Sequence, residues 1–376
     1  MEDLELMEEL TAYLQQKKEE GKPIIAFLAH DNIPEELIVA AGCVPLRMIF
    51  AGNDELMNES HDYLPPSTCS FVQSNIGMYS RKPYDFLDLV DYIIVSNHCI
   101  SDMCASEIIS KYFFIPRINF YCPYMQDENG AKYYKLELIE FKNELEKISG
   151  EEISKEAISD AIINYNQLRE LLQEANTLNV NGSQKLKIFQ KAMLMGIEYL
   201  PELRAKLEEL KNQEHKSQNN AKLLLLTGCS IFVGDYILDL IEEGGGNVVL
   251  FDTWVGKSYY SQKIPEANLK ACEEPLNLFV ERYKNNIYGD HCVPNFLENR
   301  VEQTLDDISH YEKKLGKKPG VINHIIKFCD HISLFQTDLK AKLQENGIQV
   351  LNLERDYSRA MRGQLSTRIE AFLEMM

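Results

Sequence analysis

The apolar positions of this chain fall into two alternating series separated by a long helical stretch. In each series, apolar runs of strand length are followed by segments whose apolar residues recur at helical spacing. The first series opens with a helix over Leu4–Lys18 and a strand over Pro23–His30. Pro34-Glu35-Glu36 then begins an apolar helix that stops at Gly42. Val44–Ala51, Asp91–Cys99 and Ile115–Cys122 read as further strands, with a helix between the last two. Leu64-Pro65-Pro66 breaks the chain just ahead of Cys69. Residues from about 128 to 210 are helical by pattern, and Lys211–Asn220, without one apolar residue, reads as a linker. The second series has strands over Lys222–Cys229, Gly244–Asp252 after a turn, Gly320–Cys329 and Ile348–Arg355. Its helices fall at Asp235–Glu243, Leu276–Lys284, Leu297–Lys314, after Cys329, and at Gln364–Met375. Such alternation predicts parallel sheets covered by helices. The expected fold class is α/β, with two doubly wound parallel-sheet domains, 1–210 including the helical extension and 221–376.

Charge and cysteine usage narrow the chemistry. The net charge of −19, from 39 basic and 58 acidic residues, argues against a nucleic-acid partner, which needs a basic footprint. No apolar run approaches the roughly 18 residues of a membrane span. The acidic start MEDLELMEEL lacks the form of a signal peptide, so a cytoplasmic location is expected. Nine cysteines in a reducing compartment are not expected to form disulfides. No C-x-x-C pair occurs, which excludes zinc ribbons and simple ferredoxin motifs. Metal ligands, if present, converge from distant segments.

Three apolar runs end in a cysteine that a helix-forming segment follows: Cys99, Cys229 and Cys329. In open α/β sheets ligands sit at the carboxyl ends of strands, and a helix starting there favours a thiolate or an anionic group. These cysteines point to a buried inorganic centre, foremost iron–sulfur. Cys329, in Ile326-Lys327-Phe328-Cys329-Asp330, is the strongest candidate. Cys99 follows Ser96-Asn97-His98, and Cys69 lies in a loop entering a helix. Three cysteines from three segments can hold a [4Fe–4S] cluster and leave one iron open to a substrate oxygen. Cys229 and Cys292 are second candidates, either extending the metal site or packing as small core residues. Cys43, Cys104, Cys122 and Cys272 read as structural.

A competing reading starts from Gly228, Gly234 and Asp252 as a dinucleotide site. Ser230 occupies the second glycine position and Gly234 falls one residue late, so the fingerprint fails. His30, His98, His291, His324 and His331 are candidate acid–base groups, though a hydrogen-bonded structural role is the better reading for each.

Taken in order, these segments resemble the 2-hydroxyacyl-CoA dehydratase family, which includes benzoyl-CoA reductase subunits and double-cubane cluster proteins. The resemblance rests on Ile33–Leu37 through Ala40-Ala41-Gly42, Cys69, Cys99, Thr227-Gly228, Ile326–Asp330, Asp356-Tyr357-Ser358 and Gly363–Phe372. It implies a cluster held by Cys69, Cys99 and Cys329 between two flavodoxin-like domains. It implies a paralogous partner subunit or a homodimer, an acyl-CoA substrate and an ATP-dependent iron–sulfur activator. The reaction implied is radical elimination of water through a ketyl, giving an enoyl-CoA. Where family members carry Asp directly after the second cysteine, this chain has Ile100, and its first acid is Asp102. A double-cubane [8Fe–9S] cluster, serving reduction of small molecules, is the alternative. It would recruit Cys229 and Cys292, but a third position of that pattern holds Thr253-Trp254, leaving Cys272 to substitute. A non-catalytic, electron-carrying subunit is the other alternative.

Overall fold

The computed structural model describes residues 2–28, 33–97, 99–212, 221–286 and 296–376. The first sheet contains β1 (Ile24–Phe27), β2 (Val44–Arg47), β3 (Tyr92–Ser96) and β4 (Arg117–Phe120) in the order β2-β1-β3-β4, all parallel. The second contains β5 (Lys222–Gly228), β6 (Gly246–Asp252), β7 (Gly320–Ile326) and β8 (Val350–Arg355) in the order β6-β5-β7-β8, again all parallel. The two halves thus share one strand order, as doubly wound domains do. β1 and β7 are buried at every position. Covering helices on both faces make such strands continuous apolar runs rather than alternating ones.

The stretch between the sheets folds as four helices, Glu128–Ser149, Lys155–Thr177, Gly182–Met195 and Leu200–Asn212. The first three start at side-chain caps. Asp127 accepts from the Gly130 N–H at 2.8 Å, Ser154 from Ala157 at 3.0 Å, and Asn181 and Gln184 form a reciprocal capping box.

Strands end earlier than the apolar runs that announce them. The run to Cys99 stops pairing at Ser96 and the run to Cys329 at Ile326, because pairing lasts only as far as the neighbouring strand does. The helix expected from Asp235 begins at Ile237, so Cys229 is not followed directly by a helix. Residues 229–236 instead reach across to the first half. Val233 N–H donates to Ile49 at 3.0 Å and its carbonyl accepts from Ala51 at 2.8 Å, an isolated parallel bridge between the halves.

One core cluster runs through both halves. It includes Leu28, Phe50 and Phe71 from the first and Leu224, Phe232 and Leu353 from the second. Phe71 stacks on Phe232 with ring centroids 4.4 Å apart. A buried ionic knot adds to this seam. Glu36, fully buried, pairs with Arg169 at 2.7 Å and with Arg282, while Glu35 accepts from Arg47 at 2.7 Å and from the Tyr259 hydroxyl at 3.0 Å. Burial alone would push the Glu36 carboxyl up; Arg169 and Arg282 outweigh it and hold the group well below the usual carboxylate range. Among the described residues, no helix is long and apolar enough to cross a membrane. Of the expected linker, residues 213–220 lie outside the described residues.

Candidate metal centre

Three of the cysteines occupy the same local position. Cys69 is the N-cap of the helix Ser70–Arg81, Cys99 of Ile100–Tyr112 and Cys329 of Asp330–Glu345. Their helices therefore present their positive ends toward the three sulfurs. None makes a full capping hydrogen bond, yet the N–H groups of Phe71 and Val72 favour a thiolate at Cys69, and that of Asp102 does so at Cys99.

Cys229 arrives differently, directly after β5. Gly228 there has φ +89°, and a Cβ would come within 2.4 Å of the His324 carbonyl oxygen. Only glycine lets β5 pass this close to β7. The Cys229 N–H donates to that carbonyl at 2.8 Å, and its sulfur accepts from the Ile326 N–H at 3.3 Å. β5 and β7 adjoin where the strand order reverses, the place at which such sheets bind ligands.

Cys69, Cys99, Cys229 and Cys329 line one cavity, whose empty volume is about 680 Å3 including the part open to solvent. The first two come from one half and the last two from the other. Ser70 N–H donates to the Lys327 carbonyl at 3.2 Å, tying the two sides together at the site. Burial pushes the thiols of Cys69 and Cys99 far up. Cys329 and Asp102 add to this at Cys69, and Asp102, Cys69 and Cys329 add to it at Cys99. At Cys229 a hydrogen bond with Cys329 is the larger cause, with burial second. Cys69 and Cys329 thus act on each of the other sulfurs, and none of the four forms a disulfide.

Other residues complete the lining. Asp102, buried at 3% exposure, stands one helical turn beyond Cys99. Trp254 meets Phe232 edge-on and closes one wall. Arg300 reaches the cavity but is held by Asp252 at 2.8 Å, whose other oxygen accepts from Thr227 at 3.3 Å. His331, half-buried, lines the cavity from the first turn after Cys329. His324 is locked. Its Nε2 accepts from Arg355 Nε at 3.0 Å, so Nδ1 carries the proton donated to the Cys229 carbonyl at 2.8 Å. Burial first, then the Arg355 charge, lowers its pKa to about 3, which fits a structural role. Just before Cys329, Phe328 adopts φ +64°, uncommon for a bulky residue, and turns the chain so that Cys329 N–H reaches the Ile326 carbonyl at 2.9 Å.

The remaining expectations divide. Cys104 is exposed, while Cys43 and Cys122 are buried away from the cavity. Cys272 packs against the core beside β1 and donates to the Glu274 carbonyl at 3.1 Å, so it does not join the four. Cys292, His30, His98 and His291 lie outside the described residues. The dinucleotide reading loses its anchor, because Asp252 is taken by Arg300 and Thr227 and no helix begins at the glycine turn. Arg300, Trp254 and a site role for Asp102 were not legible in the sequence. A buried acid within an amphipathic helix carries no mark of its surroundings, and Arg300 acquires its role only from Asp252 on a distant strand.

Comparison with known proteins gives a consistent result. A family model described as 2-hydroxyglutaryl-CoA dehydratase, D-component, matches residues 32–376. The chain is 25% identical to a putative dehydratase subunit, YjiM, of Escherichia coli, over 96% of this chain and 93% of that protein. It is 26% identical to the (R)-phenyllactyl-CoA dehydratase beta subunit of Clostridium sporogenes, covering 91% and 89%. It is 25% identical to the (R)-2-hydroxyglutaryl-CoA dehydratase subunit beta of Acidaminococcus fermentans, covering 96% and 95%.

Proposed function

This chain belongs to the 2-hydroxyglutaryl-CoA dehydratase D-component family, and from that premise we propose that it is the iron–sulfur subunit of a 2-hydroxyacyl-CoA dehydratase. The observation that carries the proposal is the convergence of Cys69, Cys99, Cys229 and Cys329 on one cavity, three of them at helix N-termini.

The donor set fits an iron–sulfur cluster. Soft thiolates select iron–sulfur, zinc or copper(I). Among the described residues no three His, Cys, Asp or Glu side chains converge on one point, as a single ion requires. A cluster spaces its thiolates around its own body, which suits sulfurs that sense one another across a cavity. Cys69, Cys99 and Cys329 would hold it. When bound, such a cluster would supply low-potential electron transfer and, at an iron without a cysteine, Lewis acidity toward a thioester carbonyl.

The protein's own contribution is electrostatic and steric. Three helix N-termini offset negative charge at the thiolates. Phe71, Phe232, Trp254, Ile326 and Ile332 exclude water from the walls. Besides the thiols, His331 and Asp102 line the cavity and can hold a proton. Cys272 stands away from the cavity, and Thr253-Trp254 occupies the sequence position where the double-cubane pattern would have a further cysteine, which favours one cubane over two. The hydrogen bond between Cys229 and Cys329 supports a second reading. As a fourth ligand, Cys229 would close the open iron and leave an electron-carrying subunit.

Anaerobic reconstitution separates these readings. The wild type is expected to bind about four irons, as three-cysteine ligation of [4Fe–4S] implies, and C69A, C99A and C329A to lose most of them. C229A is expected to keep its iron. Loss of iron in C229A would move the assignment to the electron-carrying subunit. Assayed with a paralogous subunit, a cognate iron–sulfur ATPase and MgATP, the wild type is expected to dehydrate a 2-hydroxyacyl-CoA with less than one ATP consumed per product. A protein that takes up no iron, or that dehydrates without any reductant, would end the proposal.

A further inference from the structure

A second cavity lies at the opposite end of the second sheet from the cysteines. Ala221 and Leu223 line it where β5 begins, and Asn247 and Val249 where β6 begins. β5 is seven residues long, so about 20 Å of strand lies between this end and Cys229. The cavity's empty volume is about 740 Å3 including the part open to solvent. The chain carries a net charge of −19, yet Lys185, Lys314 and Lys317 line this cavity, and among the described residues no Asp or Glu does.

The end of the helix Lys155–Thr177 brings two of these lysines together. Lys185 is 3% exposed, and its ammonium donates to the Asn176 carbonyl at 2.9 Å and to that of Val249 at 3.2 Å. Lys314 donates to the next carbonyl, Thr177, at 3.1 Å. Carbonyls at a helix C-terminus attract cations, which accounts for the gathering. They carry no formal charge, however, and among the described residues neither ammonium meets a carboxylate. A buried charge without a counter-charge is costly. An ammonium has three donors, so Lys185 keeps one beyond its two carbonyls.

A neutral group on the same wall is also incompletely used. Asn176 lines the cavity at 8% exposure; its Nδ2 meets the Tyr311 hydroxyl at 2.8 Å and its Oδ1 has no hydrogen-bond partner. The hydroxyl can donate as well as accept. With the amide turned over, Tyr311 donates to the oxygen and the Asn176 NH2 becomes a donor to the cavity.

We propose that this cavity binds a phosphate group, free or as the monoester of a small molecule, with Lys185 and Lys314 on its oxygens and the Asn176 amide as a neutral donor. A phosphate monoester brings a charge of about −1.5 to −2 and three strong acceptor oxygens, which matches two ammoniums; the single charge of a carboxylate leaves one of them uncompensated. The site is separate from the metal centre, and the inference does not depend on the iron–sulfur reading.

The test is calorimetric titration of the full chain with sodium phosphate and, separately, with glycerol 3-phosphate, at constant ionic strength in chloride. Saturable binding of at least one probe is expected. K185M and K314M should each weaken it by about tenfold or more, as loss of one charge-assisted contact implies. K313M removes the same charge from the neighbouring exposed position, outside the cavity, and should bind as the wild type does. Tighter binding of glycerol 3-phosphate identifies a monoester as the occupant, and tighter binding of phosphate identifies the free ion. Should K185M fail to fold, K314M against K313M decides alone, because Lys314 is exposed. No saturable binding of either probe, a K314M that binds like the wild type, or an equal loss in K313M overturns the proposal.

Discussion

Lys185 shows how far a single side chain can be driven by its surroundings. It lies in the helix Gly182–Met195 at 3% exposure, and its ammonium donates to the carbonyls of Asn176 at 2.9 Å and Val249 at 3.2 Å. Burial first, and then the charge of Lys314, lower its pKa to about 7. Below that pH the folded and unfolded chains are both protonated, and the folded state bears the full cost of the buried charge. Between about pH 7 and the ordinary lysine range the unfolded chain holds more protons, so stability rises with pH. Denaturant unfolding of the wild type should show a gain of about 2 kcal/mol from pH 7 to pH 9 that K185M lacks. Parallel curves for the two proteins would refute the assignment. At this scale the cysteines were the legible residues. Cys69, Cys99 and Cys329 each precede a helix after a break or an apolar run, and an N-cap position can be read locally. Asp102 and Arg300 could not be read so, because what they face is supplied by segments far away in the chain.

The short helix Glu35–Ala40 makes the same point for an element. In sequence, Glu35 and Glu36 form the acidic first turn of an apolar helix. In the fold they are buried, gathered under Arg47 from β2, Arg169 from the middle helices, and Arg282 and Tyr259 from the second half. Removing one partner of such a group strands the others in low dielectric. E36Q is therefore expected to lower stability by about 3–5 kcal/mol, read as a shift in the denaturation midpoint. A change below 1 kcal/mol would show that Arg169 and Arg282 have other recourse. Because the Glu36 carboxyl is held low, its contribution is present at neutral pH and fades only as pH falls through that depressed value. The alternation of strands and helices was legible because it depends on periodicity alone. The ends of strands and the missing helix after Cys229 were not, since strand register and the bridge to Phe50 decide them.

At the scale of the molecule, the segments that carry the site cysteines also bear exposed apolar side chains. Ile100, directly after Cys99, Phe328, directly before Cys329, and Leu334 on the following helix are all exposed. Two relatives are named as beta subunits, and we propose that these apolar residues meet a partner subunit. Co-expression with a paralogue should give a heterodimer by solution mass measurement. I100E together with L334E should dissociate it without loss of iron. A complex unaffected by both charges would place the interface elsewhere.

The division of the cysteines between the halves also governs how the protein can be made. Cys69 and Cys99 leave the ribosome early, but Cys329 follows seven of the eight strands, and its sulfur meets theirs only after β5 and β7 have paired. A nascent chain thus carries half a binding site through most of its synthesis, with thiols open to oxidation or to stray metals. On the iron–sulfur reading, cluster delivery would have to come after translation, to a docked pocket, and the supply of iron and sulfide would then help to set the yield of finished protein.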